Sequence, residues 1–354
     1  MGLAVAGLMA IGILFVYSAC FLSDEQPVGG VYKRQLLWAL VGACCYVLFV
    51  VADYRALGEI SWWLYVVSLV LLVLVMHTGE QVRGVRRWLS FFGLHVQPAE
   101  LAKLATILYL ARRLGRPGLN LRHPKHMLVI VALVAVPLVL VALQPDLGTA
   151  AVFLPIAIAM MFVAGVPARS LGIFLLVGVL FLPVGWLMMD DYQKSRVEVF
   201  VNPGKDPLGA GWNKTQSEIA VGSGGFFGKG YLGGTQNILG FLPRTVAPTD
   251  FIFSVIAEEE GFVGSVLLLL LYAVVLVGCM RTALLGRDKT GRLLCVGVSV
   301  MLFCHVFINI AMTIGLMPIT GLPLPLISYG GSFLLTTLTA LGLVQSVYVR
   351  RYRY

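Results

Sequence analysis

The sequence predicts an all-α integral membrane protein of about ten transmembrane helices with one long extracytoplasmic loop. Three observations carry this. Apolar residues make up 59% of the 354 residues and charged residues only 12%, about half the charge of an ordinary soluble domain. Apolar runs near 20 residues, the length that crosses a bilayer, recur along the whole chain. The 39 glycines suit membrane helices, which carry more of them than soluble helices do. A water-soluble enzyme is excluded, because no single soluble core buries this much apolar surface.

The runs fall at 3–22, 36–52, 60–77, 98–114, 127–143, 148–166, 170–189, 251–280, 293–317 and 331–349. The fourth is the weakest, since it holds Glu100 and Lys103 and ends in Arg112 and Arg113. Pro137, Pro155 and Pro183 lie inside the fifth, sixth and seventh, where kinks are expected and neighbouring helices satisfy the freed backbone groups. The first run starts at residue 3 with no basic residue before it, as in a chain shortened at its start. Residues 1–354 then form a single polytopic membrane domain, with 190–250 as the long loop between spans seven and eight.

Orientation follows from basic residues. With the N-terminus inside, the inner segments hold 14 Lys and Arg and the short outer loops hold 5, so both termini are expected in the cytoplasm. The net charge of +9 thereby belongs to the inner membrane surface, and nucleic acid is not an expected partner. The six cysteines all stand in apolar runs without ligand spacing, so neither a disulfide framework nor a zinc site is expected. The five histidines are scattered and read as interfacial or core residues.

The loop 190–250 contains eleven glycines and the acids Asp190, Asp191, Glu198, Asp206, Glu218 and Asp250. Its Gly-rich stretch, Val221–Thr235, fails as a Walker A loop at Ser223 and Gly230, and Gly228–Gly233 matches GxGxxG without the strand that a dinucleotide site needs. No nucleotide is expected. The stretch is either a tightly turning re-entrant loop or one that meets a ligand through backbone amides.

Four constellations carry chemistry. Glu100 and Lys103 stand three apart on one helix face, close enough to pair, and charges inside a span are candidates for function. Ahead of them, Arg83-Gly-Val-Arg-Arg-Trp88 places cations, Arg86 and Arg87 among them, at the outer interface, as anchors or as a phosphate site. Asp146, in Gln144-Pro-Asp-Leu-Gly-Thr149, and Asp250, in Pro248-Thr-Asp-Phe-Ile-Phe253, both face outward just before a span; each is a helix cap or a base for a hydroxyl proton. Glu258, Glu259 and Glu260 follow, and at least one must meet a polar group.

In order, Arg86-Arg-Trp88, Gln97-Pro-Ala-Glu-Leu-Ala-Lys103, Gln144–Thr149, Tyr192-Gln-Lys-Ser-Arg196, Gln216–Gly225, Gly228-Lys-Gly230, Thr249–Phe253 with Glu258-Glu259, Asn309, and Thr320–Ser332 resemble the SEDS family of bacterial cell-wall glycosyltransferases. The likeness runs from about Tyr17 to Arg350. Gly234-Thr-Gln236 and Phe241-Leu-Pro243 are similar to the elongation members rather than the division members; Arg244 departs from them where an acid is usual.

The resemblance implies a location in the bacterial cytoplasmic membrane. The implied substrate is lipid II, polymerised on the outer face into undecaprenyl-linked glycan, and the implied partner is a class B penicillin-binding protein transpeptidase. The expected reaction is a single, inverting displacement with Asp250 as general base. Charge on the departing pyrophosphate falls to Arg86, Arg87, Lys103 and Arg196, or to a divalent cation (magnesium or manganese) held by carboxylates and the pyrophosphate. The rival expectation is a lipid II flippase, which needs the same substrate and setting but would concentrate its charges near the midplane.

Overall fold

A computed structural model describes residues 1–21, 30–82, 85–91, 94–121, 123–207, 209–243 and 245–352. Arg83, Arg122, Arg244 and Arg353 lie outside these residues. The helices are α1 (Gly2–Phe21), α2 (Val31–Val51), α3 (Tyr54–Thr78), α4 (Pro98–Gly115), α5 (Pro124–Ala142), α6 (Leu147–Ala164), α7 (Ala168–Met188), α8 (Asp191–Val201), α9 (Ala210–Ser223), α10 (Thr235–Ile238), α11 (Ile252–Leu285), α12 (Lys289–Thr313) and α13 (Gly331–Val349). Among the described residues, nine helices are long and apolar enough to cross a membrane: α1–α3, α5–α7 and α11–α13. The chain is a multi-pass, predominantly helical membrane protein. Helix α4, at 18 residues, has the length but carries four charges.

Between α3 and α4 the chain forms a small antiparallel sheet in the order β1 (Glu80–Val82), β2 (Val85–Phe91), β3 (Leu94–Val96). Trp88 pairs with Glu80 and Ser90 with His95. Helical pattern reading passes over it, because the strands are short and mix cations with apolar residues. Its physical basis is Val-Arg-Arg-Trp-Leu-Ser-Phe, a run with β-branched and aromatic residues bounded by Gly84 and Gly93.

The contacts divide the chain into two compact units. One comprises Ala43–Asp190, Cys279–Leu302 and Leu338–Tyr354. Here α4 lies against α3, α5 and α6, and most of its length is buried, from Pro98 to Leu114. A helix packed among other helices needs little lipid-compatible surface, which explains why α4 can be less apolar than the nine. Close packing with α12 depends on Gly297: a Cβ there would stand 2.7 Å from Ile107 Cγ2 and 2.8 Å from Met160 Sδ. At the other end, Arg350 donates to the carbonyls of Val50 and Val51 at the end of α2, and Ser346 Oγ donates to Ala52 O. The orphan carbonyls of a helix C-terminus are satisfied this way.

The other unit comprises Met1–Gly42, Asp191–Gly278 and Phe303–Thr337. It contains most of the segment 190–250, about half of it helical, with α8, α9 and α10 joined by turns. It also contains a non-helical strap, residues 314–330, much of it buried. Irregular backbone survives in such a setting only when protein groups satisfy it. Asn309 Nδ2 donates to Leu322 O (2.7 Å), Tyr272 OH to Pro325 O (2.5 Å), Gln35 Nε2 to Ser328 O (3.3 Å) and Tyr329 N to Pro248 O (2.8 Å).

Candidate active site

Asp250 stands two residues before α11. Its amide donates to Val246 O at 2.9 Å, closing a turn. Its carbonyl accepts from Asn309 Nδ2 at 2.9 Å, and the preceding carbonyl, Thr249 O, accepts from Ser328 Oγ at 2.5 Å. The backbone is thus fixed from both α12 and the strap, while the residue stays half-exposed. Gly321 marks its surroundings. A Cβ at that position would lie 3.5 Å from Asp250 Oδ2 and 3.8 Å from Arg196 Nη1, so the carboxylate and the guanidinium flank one glycine. Gly321 has φ +75°, a conformation that suits glycine. Arg196 comes from α8 and donates from Nη1 to Ile319 O at 3.0 Å. A small cavity beside Arg196 is lined by Val199, Phe200, Ala210, Lys214 and Ile319. A carboxylate and a cation on either side of one glycine, at an accessible place, can accept a proton and stabilise an anion.

The remaining candidates lie in the other unit. Lys103 Nζ donates to Glu100 Oε1 at 2.9 Å, and both residues are buried, at 0% and 2% exposure. Asp146 caps α6, accepting from Thr149 N at 3.2 Å, and also accepts from Gln97 Nε2 at 3.2 Å. Arg87 reaches the same turn: Nε donates to Gln144 O at 2.9 Å, Nη2 donates to Pro145 O, and Nη1 stands 3.8 Å from Asp146 Oδ2. Arg86 is exposed and donates to His77 O at 3.1 Å. Adjacent residues on a strand point to opposite faces, so the two arginines take different partners. Arg87 is committed to the turn before α6, and Lys103 to Glu100.

Sequence reading left Lys229 and Gly321 out of the site. Two amides of the Gly-rich stretch are used within the protein: Lys229 N donates to Glu258 O (3.0 Å) and Gly230 N to Glu259 O (2.8 Å). Of the two readings open for it, the tightly turning loop describes these contacts. The signal for the partnership was the need of Glu258–Glu260 for polar neighbours; which neighbour meets them is set by tertiary structure alone.

The fold and this site define a multi-pass helical membrane protein with an accessible carboxylate and guanidinium at the head of one spanning helix. Residues 1–353 match the model of a cell cycle protein family comprising FtsW, RodA and SpoVE, and the chain belongs to that family. It is 37% identical over 351 residues to peptidoglycan glycosyltransferase MrdB of Escherichia coli K12, with 97% of this chain and 93% of that protein covered. With peptidoglycan glycosyltransferase RodA of Treponema pallidum it shares 33%, covering 99% and 96%. Among solved structures, a chain of a peptidoglycan synthase complex that coordinates polymerization and crosslinking superposes with a TM-score of 0.82 at 35% identity, covering 99% of this chain and 97% of that one. The crystal structure of the rod shape determining protein RodA of Thermus thermophilus gives 0.73 at 34%, covering 99% and 96%.

Proposed function

We propose that this protein is a peptidoglycan glycosyltransferase that polymerises lipid II at the outer face of the cytoplasmic membrane, with Asp250 as its general base. The observation that carries the reading is the half-exposed Asp250, its carboxylate beside the Arg196 guanidinium and its backbone held by Asn309 at its own carbonyl and by Ser328 at the carbonyl before it. The relatives named peptidoglycan glycosyltransferases support the reaction class.

In the proposed step Asp250 accepts the proton of the 4-hydroxyl of the acceptor's N-acetylglucosamine. That oxygen bonds to the anomeric carbon of the donor's N-acetylmuramic acid. The bond from the anomeric carbon to the pyrophosphate oxygen breaks, and its electron pair leaves with undecaprenyl pyrophosphate. One carboxylate suffices for a single displacement, so the centre inverts. Arg196, which shares the Gly321 neighbourhood with the base, is the cation assigned to the developing phosphate charge, and guanidinium binds phosphate in a bidentate fork. Among the described residues no group of three or more His, Cys, Asp and Glu is gathered to hold a metal. A magnesium or manganese ion would take ligands from the pyrophosphate and supply charge neutralisation there.

Both termini are assigned to the cytoplasm, on the distribution of basic residues. The assigned partner is a class B penicillin-binding protein. Support comes from the similar chain that works within a synthase complex coordinating polymerization and crosslinking. The test is to give purified protein lipid II in detergent, with and without its transpeptidase partner and with and without magnesium or manganese. Detergent abolishes sidedness, so glycan strands appear only if the protein performs chemistry. Strands are expected; lipid II left intact under every condition contradicts the assignment.

A further inference from the structure

Helix α11 is interrupted at Gly261, where φ is 66° and ψ −159°, a conformation open essentially to glycine alone. An unbroken helix would bond Phe262 N to Glu258 O and Val263 N to Glu259 O. Both rungs are taken over by the Gly-rich stretch. Phe262 N donates to Gly225 O (2.9 Å) and Val263 N to Phe226 O (3.1 Å), while the two glutamate carbonyls accept from Lys229 N (3.0 Å) and Gly230 N (2.8 Å). The stretch is therefore a plug that completes a broken helix.

The plug also grips the end of the first half-helix by its carboxylates. Lys229 Nζ donates to Glu258 Oε1 at 2.6 Å, to Ser223 Oγ at 2.8 Å and to Thr235 Oγ1 at 2.6 Å. Gln236 N adds a bond to the same Oε1 at 2.9 Å. Glu259 accepts from Leu232 N at 3.1 Å and from Ser18 Oγ at 2.5 Å. Two carboxylates at a helix C-terminus oppose the helix dipole, and Glu258 is fully buried. A cation and several donors at that point are what make the arrangement stable.

We propose that Lys229 and Glu258 are positioning residues for the base: together they fix the direction of the half-helix 252–260, whose other end adjoins Asp250. The inference rests on the assignment of Asp250 above. From Gly261 to the start of the helix is about 14 Å at 1.5 Å per residue. A tilt of about 5° at the break therefore moves the far end by roughly 1 Å, a misplacement that can cost about a hundredfold in rate. The hydrogen bonds of Asn309 and Ser328 hold the Asp250 end, and the plug holds the other.

The test is lipid II polymerisation in detergent by Lys229→Met, Lys229→Arg and Glu258→Gln, with Asp250→Asn run alongside and unfolding temperature measured for each. Lys229→Met is expected to lower kcat about tenfold or more, with KM for lipid II within about twofold of wild type. Lys229→Arg, which keeps the cation, recovers most of the rate. A merely structural role would lower unfolding temperature and active fraction but leave kcat per folded molecule unchanged, and that result overturns the proposal. If Lys229→Met does not fold, Glu258→Gln decides by the same kcat and KM criteria, since it keeps an oxygen for the loop amides and loses only the ion pair. Wild-type kcat in these variants beside an inactive Asp250→Asn refutes the positioning role alone; an active Asp250→Asn refutes the base assignment beneath it.

Discussion

Lys103 and Asp250 are both charged groups in a chain built for lipid, yet their environments are opposite. Lys103 is completely enclosed with Glu100 at 2.9 Å, whereas Asp250 is half-exposed beside Arg196. Enclosure sets what each substitution does. Glu100→Ala or Lys103→Ala leaves a buried charge without its partner, a loss of about 3–5 kcal/mol, so each should unfold well below wild type in a detergent thermal scan. Glu100→Leu combined with Lys103→Met removes both charges and should recover much of that stability. If the pair serves the reaction, polymerisation stays absent in the double variant; recovered activity would reduce the pair to a helix contact. At Gly321 the argument is conformational. Gly321→Ala forces a side chain into φ +75° and places a methyl group 3.5 Å from the Asp250 carboxylate. It should lose about 1 kcal/mol or more of stability and reduce kcat, as read from a melting curve and a rate on the same preparation.

Among the elements, the long helices were legible in the sequence because nearly all of them are long apolar runs, though several ends differ by five or six residues, as in 60–77 against Tyr54–Thr78. The expected spans 148–166 and 331–349 correspond to Leu147–Ala164 and Gly331–Val349. Shorter features were not legible, for identifiable reasons. The strands β1 and β3 carry too few residues to show a period and β2, Val-Arg-Arg-Trp-Leu-Ser-Phe, does not alternate, while glycine within and around α9 masks a helix in a stretch that looks like loop. The interruption at Gly261 was not legible as a break: Glu258-Glu259-Glu260 interrupt the apolar run just before it, but charge in a helix marks a polar face as readily as a broken backbone. Of the site, Asp250 and the Glu100–Lys103 spacing could be read directly from the residues, while Arg196 came only through the family resemblance. Lys229 could not, because its partners Glu258 and Thr235 meet it only through the folded plug. Close helix contact gives a further prediction. Gly297→Val would put branched atoms where a Cβ alone already comes within 2.7 Å of Ile107. Overpacking of this kind costs about 1–3 kcal/mol, so its unfolding temperature should fall while Gly172→Val, where nothing lies within 4 Å of the Cβ position, stays near wild type.

The whole molecule is organised by two solvents, lipid around the helices and water at their ends. In the unit that holds α4, the spanning window of α6 is 56% buried and that of α5 only 22%, so the inner helices can carry polar groups and the outer ones cannot. Sidedness is the remaining global property, and the proposal that both termini are cytoplasmic rests on the basic residues. A cysteine at Ser90, exposed on β2, should react with a membrane-impermeant maleimide in intact cells. One at the exposed Arg116, just past α4, should react only after permeabilisation. Reversed labelling would invert the topology and remove Asp250 from the face where the proposed substrate is used. That face matters only if Asp250 takes the proton. The most direct measurement is the rate of lipid II consumption by Asp250→Asn in detergent, per folded molecule, against wild type. The variant keeps nearly the same shape and loses the basic oxygen, so consumption should fall by about a hundredfold or more; a rate equal to wild type would contradict the account.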